Sequence, residues 1–290
     1  MRLAYYPGCS LHASAAPYHS STLLVAETLG LELLEVPEWI CCGATPTHSM
    51  SPLLALAFPM QNLVQVEAMG MDRVALPCAA CYGRFRAADR RIKEAPELRK
   101  QVEAALGVEY HSSVAILHLL DLLANHVGLE AIGRKVVKPL SQLRLACYYG
   151  CLLTRPPKVV AFDDPDSPSV MEKLMQACGA STVEWPYKTE CCGATFGISY
   201  EEVALRLIHQ LLADAVRAGA EMVVAACPLC QPNLDIRQEE AEKASAKPLS
   251  VPVVYFTQLL ALALGHDVRK LGFEKNFVDP LPVLRQRGVV

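Results

Sequence analysis

The pentapeptide CCGAT stands at residues 41–45 and again at 191–195. The cysteines around the two copies match as well. In the first half, 31 residues separate Cys9 from Cys41-Cys42, and 35 more lead to Cys78-x-x-Cys81. In the second, 39 residues separate Cys151 from Cys191-Cys192, and 34 lead to Cys227-x-x-Cys230. The flanks agree too: YYPGC (5–9) against YYGC (148–151), and PCAAC (77–81) against ACPLC (226–230). Ten of the twelve cysteines thus form two matching sets of five, the mark of an internal duplication. Any fold for this chain must gather five thiols, twice.

The residues between the cysteines predict how. Leu3–Tyr6 and Arg144–Tyr149 read as short strands, each feeding a Gly-Cys turn. Helical stretches follow at Pro17–Leu29 and Pro168–Ala177, then strands Leu33–Val36 and Thr182–Trp185 that lead to the CCG turns. Helices Pro52–Met69 and Tyr200–Ala218 are each closed by a glycine. Strands Arg73–Leu76 and Met222–Ala225 run into the CxxC turns. A further helix, a strand (Val108–Tyr110; Val253–Tyr255) and a terminal helix complete each copy. Strands alternating with helices of ten or more residues argue for parallel α/β units. The expected fold is therefore α/β, with two pseudo-symmetric domains, residues 1–140 and 141–290. Each would be a small parallel sheet flanked by helices, with cysteine-bearing turns at the carboxyl ends of strands, where open parallel sheets bind ligands.

Composition limits the function classes. Net charge is −3, which gives no electrostatic case for nucleic acid. The chain is 52% hydrophobic, yet runs such as Leu53–Met60 and Leu259–Leu264 fall far short of the roughly 18 residues that span a membrane. MRLAYYPGC leads straight into a strand, so no leader and a cytoplasmic location are expected. In that reducing setting twelve cysteines are expected to serve metal or redox chemistry rather than structural disulfides.

Thiolates are soft ligands, suited to iron–sulfur clusters, zinc or copper. CxxC places two sulfurs on one tight turn. Adjacent cysteines point to opposite faces of an extended strand, so Cys41 and Cys42 converge only in a turn, which the following glycine permits. Four cysteines suffice for a cubane or a zinc site. A fifth is either a spare or the sign of a larger or more open cluster, and its duplication argues against a spare.

The CCG turns, with a cysteine upstream and CxxC downstream, resemble the cysteine-rich domains of the heterodisulfide reductase B-type family. YYGCLLTRPPKVVAFDDPDSP (148–168) and WPYKTECCGAT (185–195) are similar to that family beyond the cysteines. The resemblance implies two non-cubane [4Fe–4S] clusters, one bound by Cys9, Cys41, Cys42, Cys78 and Cys81, the other by Cys151, Cys191, Cys192, Cys227 and Cys230. It implies an oxidoreductase that cleaves a disulfide between the clusters, each passing one electron, or runs the reverse thiol oxidation. Implied partners are a ferredoxin-like iron–sulfur protein of the reductase's C type, a flavin protein of its A type, and a disulfide, thiol or sulfur-carrier substrate. The chain has no GxGxxG, no P-loop and no ferredoxin-type CxxCxxC run, so its electrons come from or go to another protein. The alternative is a non-catalytic electron relay, as in glycolate, lactate or succinate oxidising complexes. A third reading, zinc in one half and a cluster in the other, fits two matched ligand sets poorly.

Cys147 aligns with Tyr5 and Cys178 has no counterpart; both read as buried thiols. His12 and His48 follow cluster turns and are candidate proton donors, or else plain loop histidines. Arg155 and Lys188 flank second-half motifs, as cations balancing cluster or substrate charge or as surface cations. DDPD (163–166) reads as a turn and QEEAEKASAK (238–247) as a solvated helix end. The last 25 residues are expected to form a docking tail.

Overall fold

The computed structural model describes residues 1–44, 47–245 and 248–290, with the side chain of residue 48 outside that set. Among these residues there are eight strands: β1 (Arg2–Tyr5), β2 (Glu32–Glu35), β3 (Arg73–Leu76), β4 (Ala115–His118), β5 (Arg144–Tyr148), β6 (Ser181–Thr182), β7 (Met222–Ala225) and β8 (Val253–Tyr255). They form two parallel four-stranded sheets, ordered β2-β1-β3-β4 and β6-β5-β7-β8. The two orders are the same, so the duplication seen in the cysteines extends to the topology. The central strands are close to continuous apolar runs; all four residues of β7 are buried. That is the pattern of a parallel sheet covered on both faces.

Two expected strands differ. The fourth strand of the first half is Ala115–His118, not Val108–Tyr110. The expected segment satisfies its polar groups without a sheet: Tyr110 N–H donates to Glu103 Oε1 (3.1 Å) and its hydroxyl to Asp89 Oδ1 (2.8 Å). The Glu67 carboxylate accepts from the N–H groups of His111 and Ser113 (3.0 Å each). β4 then pairs with β3 in the register Arg73↔Ala115. β6 is shorter than Thr182–Trp185 because Trp185 turns inward, its indole N–H donating to Cys147 O (3.1 Å). Helix Val170–Ala177 starts two residues later than expected; the Asp163 carboxylate holds the N–H groups of Ser169 and Val170 (2.8 Å each) before it. The acidic run is a turn, with Asp164 Oδ1 accepting from Asp166 and Ser167.

The halves are joined reciprocally. The Ala16–Leu29 helix of the first packs on the Phe256–Ala263 helix of the second, and Val170–Ala177 packs on the helical run 119–133 that closes the first. At the first of these contacts, Ser21 Oγ and Thr257 Oγ1, both fully buried, lie 2.6 Å apart. Beside them Tyr18 stacks on Tyr255 at 4.3 Å between centroids, an arrangement that adds ~1 kcal/mol beyond area burial. Tyr82 and Arg86 of the first half donate to the carbonyls of Val160 (2.7 Å) and Val159 (3.1 Å). One apolar core runs through both halves. The C-terminal residues fold back on the second half: Phe273, Leu284 and Val289 are buried and Arg287 pairs with Glu221, while Phe277 is left exposed.

Candidate metal centres

Each set of five cysteines sits on three turns beyond the carboxyl ends of the first three strands of its sheet. The same devices build both. Tyr6, following β1, donates its hydroxyl to Ile40 O (2.8 Å); Tyr148, at the end of β5, donates to Glu190 O (2.7 Å). Each tyrosine therefore holds the carbonyl just before the cysteine pair. The glycine before the first cysteine has positive φ in both halves, +71° at Gly8 and +69° at Gly150. A Cβ at Gly8 would lie 3.3 Å from Cys81 Sγ, and one at Gly150 3.3 Å from Cys230 Sγ. Glycine is needed twice over there, for the turn and for the approach of the CxxC sulfur. After each pair, the glycine N–H points back at sulfur: Gly43 N to Cys41 Sγ at 3.4 Å, Gly193 N to Cys191 Sγ at 3.3 Å.

All five thiols of the first set line one pocket of about 60 Å³, together with Leu229 from the second half's CxxC turn. Cys42 Sγ and Cys81 Sγ are 3.1 Å apart. In the second half Cys151 contacts Cys191, and Cys230 contacts both Cys192 and Cys227. Leu229 of the second half's CxxC turn lines the first set's pocket, and the Cys78 and Cys227 thiols act on each other, so the two sets adjoin through their CxxC turns. Among the described residues no three His, Cys, Asp or Glu side chains are spaced to grip a single metal ion; the thiols of the first set line a pocket wall instead.

Charge tests what such a set can hold. The thiols split into acceptors and donors. Sulfur hydrogen bonds from Cys230 and Cys78 push Cys227 well down, and one from Cys151 brings Cys191 to about 6. Cys42 is lowered by Cys81. Their donors Cys78, Cys81, Cys151 and Cys230 are driven up by those same bonds together with burial. Left alone, the set ionises only in part, because neighbouring thiolates repel in a low-dielectric pocket. A compact cationic group of soft, thiophilic metal would relieve that repulsion at all five sulfurs, so the donor chemistry fits an iron–sulfur group.

The other candidates sort clearly. Cys147 lies in β5 beside Val224, fully buried; burial raises it, with Glu172 the nearest charge. Cys178 is buried past the end of helix Val170–Ala177 and is raised to about 12 by burial alone. His12, three residues after Cys9 in the chain, is half-exposed, its Nε2 2.9 Å from Glu35 Oε1 and its ring stacked on Trp39. The side chain of His48 lies outside the described residues. Arg155 pairs with Asp166 (3.1 Å).

Lys188 is not a surface cation. It is 5% exposed and paired with Glu172, itself 4% exposed, at 2.8 Å. Its backbone carbonyl accepts from Tyr149 N (2.8 Å) and Gly150 N (3.1 Å), and Tyr149 hydroxyl donates to the Glu172 carboxylate. The pair clamps the YYGC turn to the segment before Cys191. Two further residues were missed, both at the ends of fourth strands. His118 is fully buried, its Nε2 3.1 Å from Pro77 O and its Nδ1 accepting from Leu120 N; burial lowers it to about 4, so the ring is neutral. Tyr255 occupies the equivalent place in the second half.

Comparison with known proteins agrees with the duplication. The cysteine-rich domain (CCG) profile matches residues 3–86 and 145–235. The chain is 33% identical over 277 residues to the 8-methylmenaquinol:fumarate reductase membrane anchor subunit of Wolinella succinogenes, covering 95% of this chain and 96% of that one. It is 30% identical over 289 residues to the B chain of the ferredoxin:CoB-CoM heterodisulfide reductase of Methanosarcina mazei, covering 98% and 96%. A Helicobacter pylori structure titled as a hypothetical protein has the same fold, with TM-score 0.75 at 14% identity, over 96% of this chain and 52% of that one.

Proposed function

Because the chain belongs to the CCG cysteine-rich domain family, we propose that it is the disulfide-cleaving component of a heterodisulfide-reductase-like complex. At the coarser level it is an iron–sulfur oxidoreductase subunit. The feature that supports the finer reading is the approach of the second half's CxxC turn, whose Leu229 lines the pocket of the first set's thiols, so that the two sets are neighbours around one region rather than distant stations.

Cys9, Cys41, Cys42, Cys78 and Cys81 would hold one non-cubane [4Fe–4S] cluster, and Cys151, Cys191, Cys192, Cys227 and Cys230 the other. When bound, each supplies or accepts one electron. The balance is R–S–S–R′ plus two electrons and two protons giving RSH and R′SH. The chain's own part is to hold both sulfur-rich centres side by side, so that the two electrons reach one S–S bond together. Buried Ala80 and partly buried Leu229 wall the inner side of the first pocket, where Cys42, Cys78 and Cys81 are buried, while Cys9 and Cys41 stay exposed. His12, held by Glu35 through Nε2, would be the proton donor to a leaving thiolate. The electron supply is a ferredoxin-type iron–sulfur protein, with a flavin protein upstream of it. Among the described residues no helix is long and apolar enough to cross a membrane.

One observation favours a second reading. The Wolinella relative is named for quinol:fumarate chemistry, which would suit a relay with no disulfide substrate. The complex, purified without oxygen and supplied with reduced viologen and a disulfide, decides between them. The expected result is two thiols per two electrons consumed. A complex that passes electrons between its components but leaves lipoyl, coenzyme-type and persulfide substrates untouched is a relay.

A further inference from the structure

The hydroxyl of Tyr255 is buried and has no hydrogen-bond partner among the described residues. A buried phenol ordinarily finds one, since an unpaired polar group in a low-dielectric interior is costly. The ring is fixed in place. It stacks on Tyr18, its strand residue pairs with Ala225 two positions before Cys227, and its backbone N–H donates to Gln258 Oε1 (2.8 Å).

The groups around it narrow the choice of acceptor. The charges that act most on the hydroxyl are, in order, those of Cys227, Cys230, Asp235 and Cys78. The Asp235 carboxylate is already engaged by the N–H groups of Phe277 (2.9 Å) and Val278 (3.2 Å) and by the amides of Gln231 and Asn276 (3.3 Å each). The hydroxyl of Tyr18 is taken up by Ala226 O at 3.3 Å. That leaves the thiols of the second half's CxxC turn, which follows Ala225, the strand neighbour of Tyr255. In the first half the equivalent residue, His118, directs its ring nitrogens to Pro77 O and Leu120 N, so that half has no matching free donor at this position.

We propose that the Tyr255 hydroxyl donates a hydrogen bond to the sulfur centre held by Cys227 and Cys230, and so makes the second half's centre easier to reduce than the first's. This rests on the ligand assignment above. A donor to cluster or ligand sulfur stabilises the extra negative charge of the reduced state and raises the potential. The duplicated chain would then have a direction: an electron arriving singly settles on the second half. Tyr255 is a positioning and tuning residue here, not one that touches substrate.

The test uses the intact complex and its Tyr255→Phe variant, which keeps the ring and its stacking. In a redox titration followed by EPR, the second-half centre, identified as the one lost in Cys191→Ser, should shift to lower potential. The expected size is on the order of tenfold in its reduced-to-oxidised ratio, ~59 mV for one electron; the first-half centre should not move. Unchanged potentials with iron retained would overturn the proposal. If the variant instead loses iron, the native complex gives the answer. An exchangeable proton coupled to the second-half centre, replaced in deuterium oxide, is expected, and its absence would overturn the proposal equally. Iron-free chain from the start would instead refute the ligand assignment.

Discussion

Cys81→Ala and Cys230→Ala are each expected to abolish two-electron disulfide turnover, with the double variant no slower than either single one. Both cysteines hold the inner side of their set. Cys81 lies 3.1 Å from Cys42 and beneath Gly8, while Cys230 contacts Cys192 and Cys227 and lies beneath Gly150. If the two centres act on one S–S bond, removing either leaves a single-electron donor that cannot complete the reaction. Groups that work as a unit give non-additive losses. In a serial relay the outcome differs: a centre off the electron path could be lost at little cost. Iron content and circular dichroism of each variant must show the fold and the other centre intact. One single variant keeping most of its disulfide turnover would leave the relay reading in place.

Lys188→Met should cost about 3 kcal/mol of stability, the lower end for breaking a buried ion pair. The loss comes from Glu172, left 4% exposed without its cation. Its remaining partner, the Tyr149 hydroxyl, moderates the cost. Because Tyr149 N and Gly150 N both bond to the Lys188 carbonyl, loosening this segment should also weaken the Cys151 turn. Iron is then expected to leave the second half before the first. Chemical denaturation of the metal-free chain gives the stability change, and timed iron release to a chelator gives the order. A change under about 1 kcal/mol would mean that Glu172 is relieved by water or by protonation.

Much of the architecture was legible in the sequence because the duplication states it twice. β3, β7 and β8 were read with their ends correct, since β3 and β7 are short apolar runs leading into a CxxC and β8 is a short Val-Val-Tyr run just after Pro252. β4 was misplaced because VAILHLLDLLA is apolar but for His118 and Asp121, and periodicity alone does not separate a buried strand from the helix that follows it. Placing the strand at VEY hid His118, which is recognisable only as the last residue of a fourth strand. Tyr255 was in a correctly read strand, but its significance lies in a hydroxyl left without a partner, which no sequence pattern records. Lys188 was misread for a similar reason: its partner Glu172 is sixteen positions away on another element, so its burial comes from tertiary packing. The grouping of the cysteines was legible because it is a matter of residue type and spacing, and the matched turns after the first three strands of each sheet repeat it.

The most direct test of two sulfur-ligated centres per chain is the iron and acid-labile sulfide content of the anaerobically purified protein. Two four-iron clusters predict about eight irons and about eight sulfides per chain, without stoichiometric zinc. About four irons accompanied by one zinc would contradict the account, because the matched sets of five cysteines would then be holding different metals.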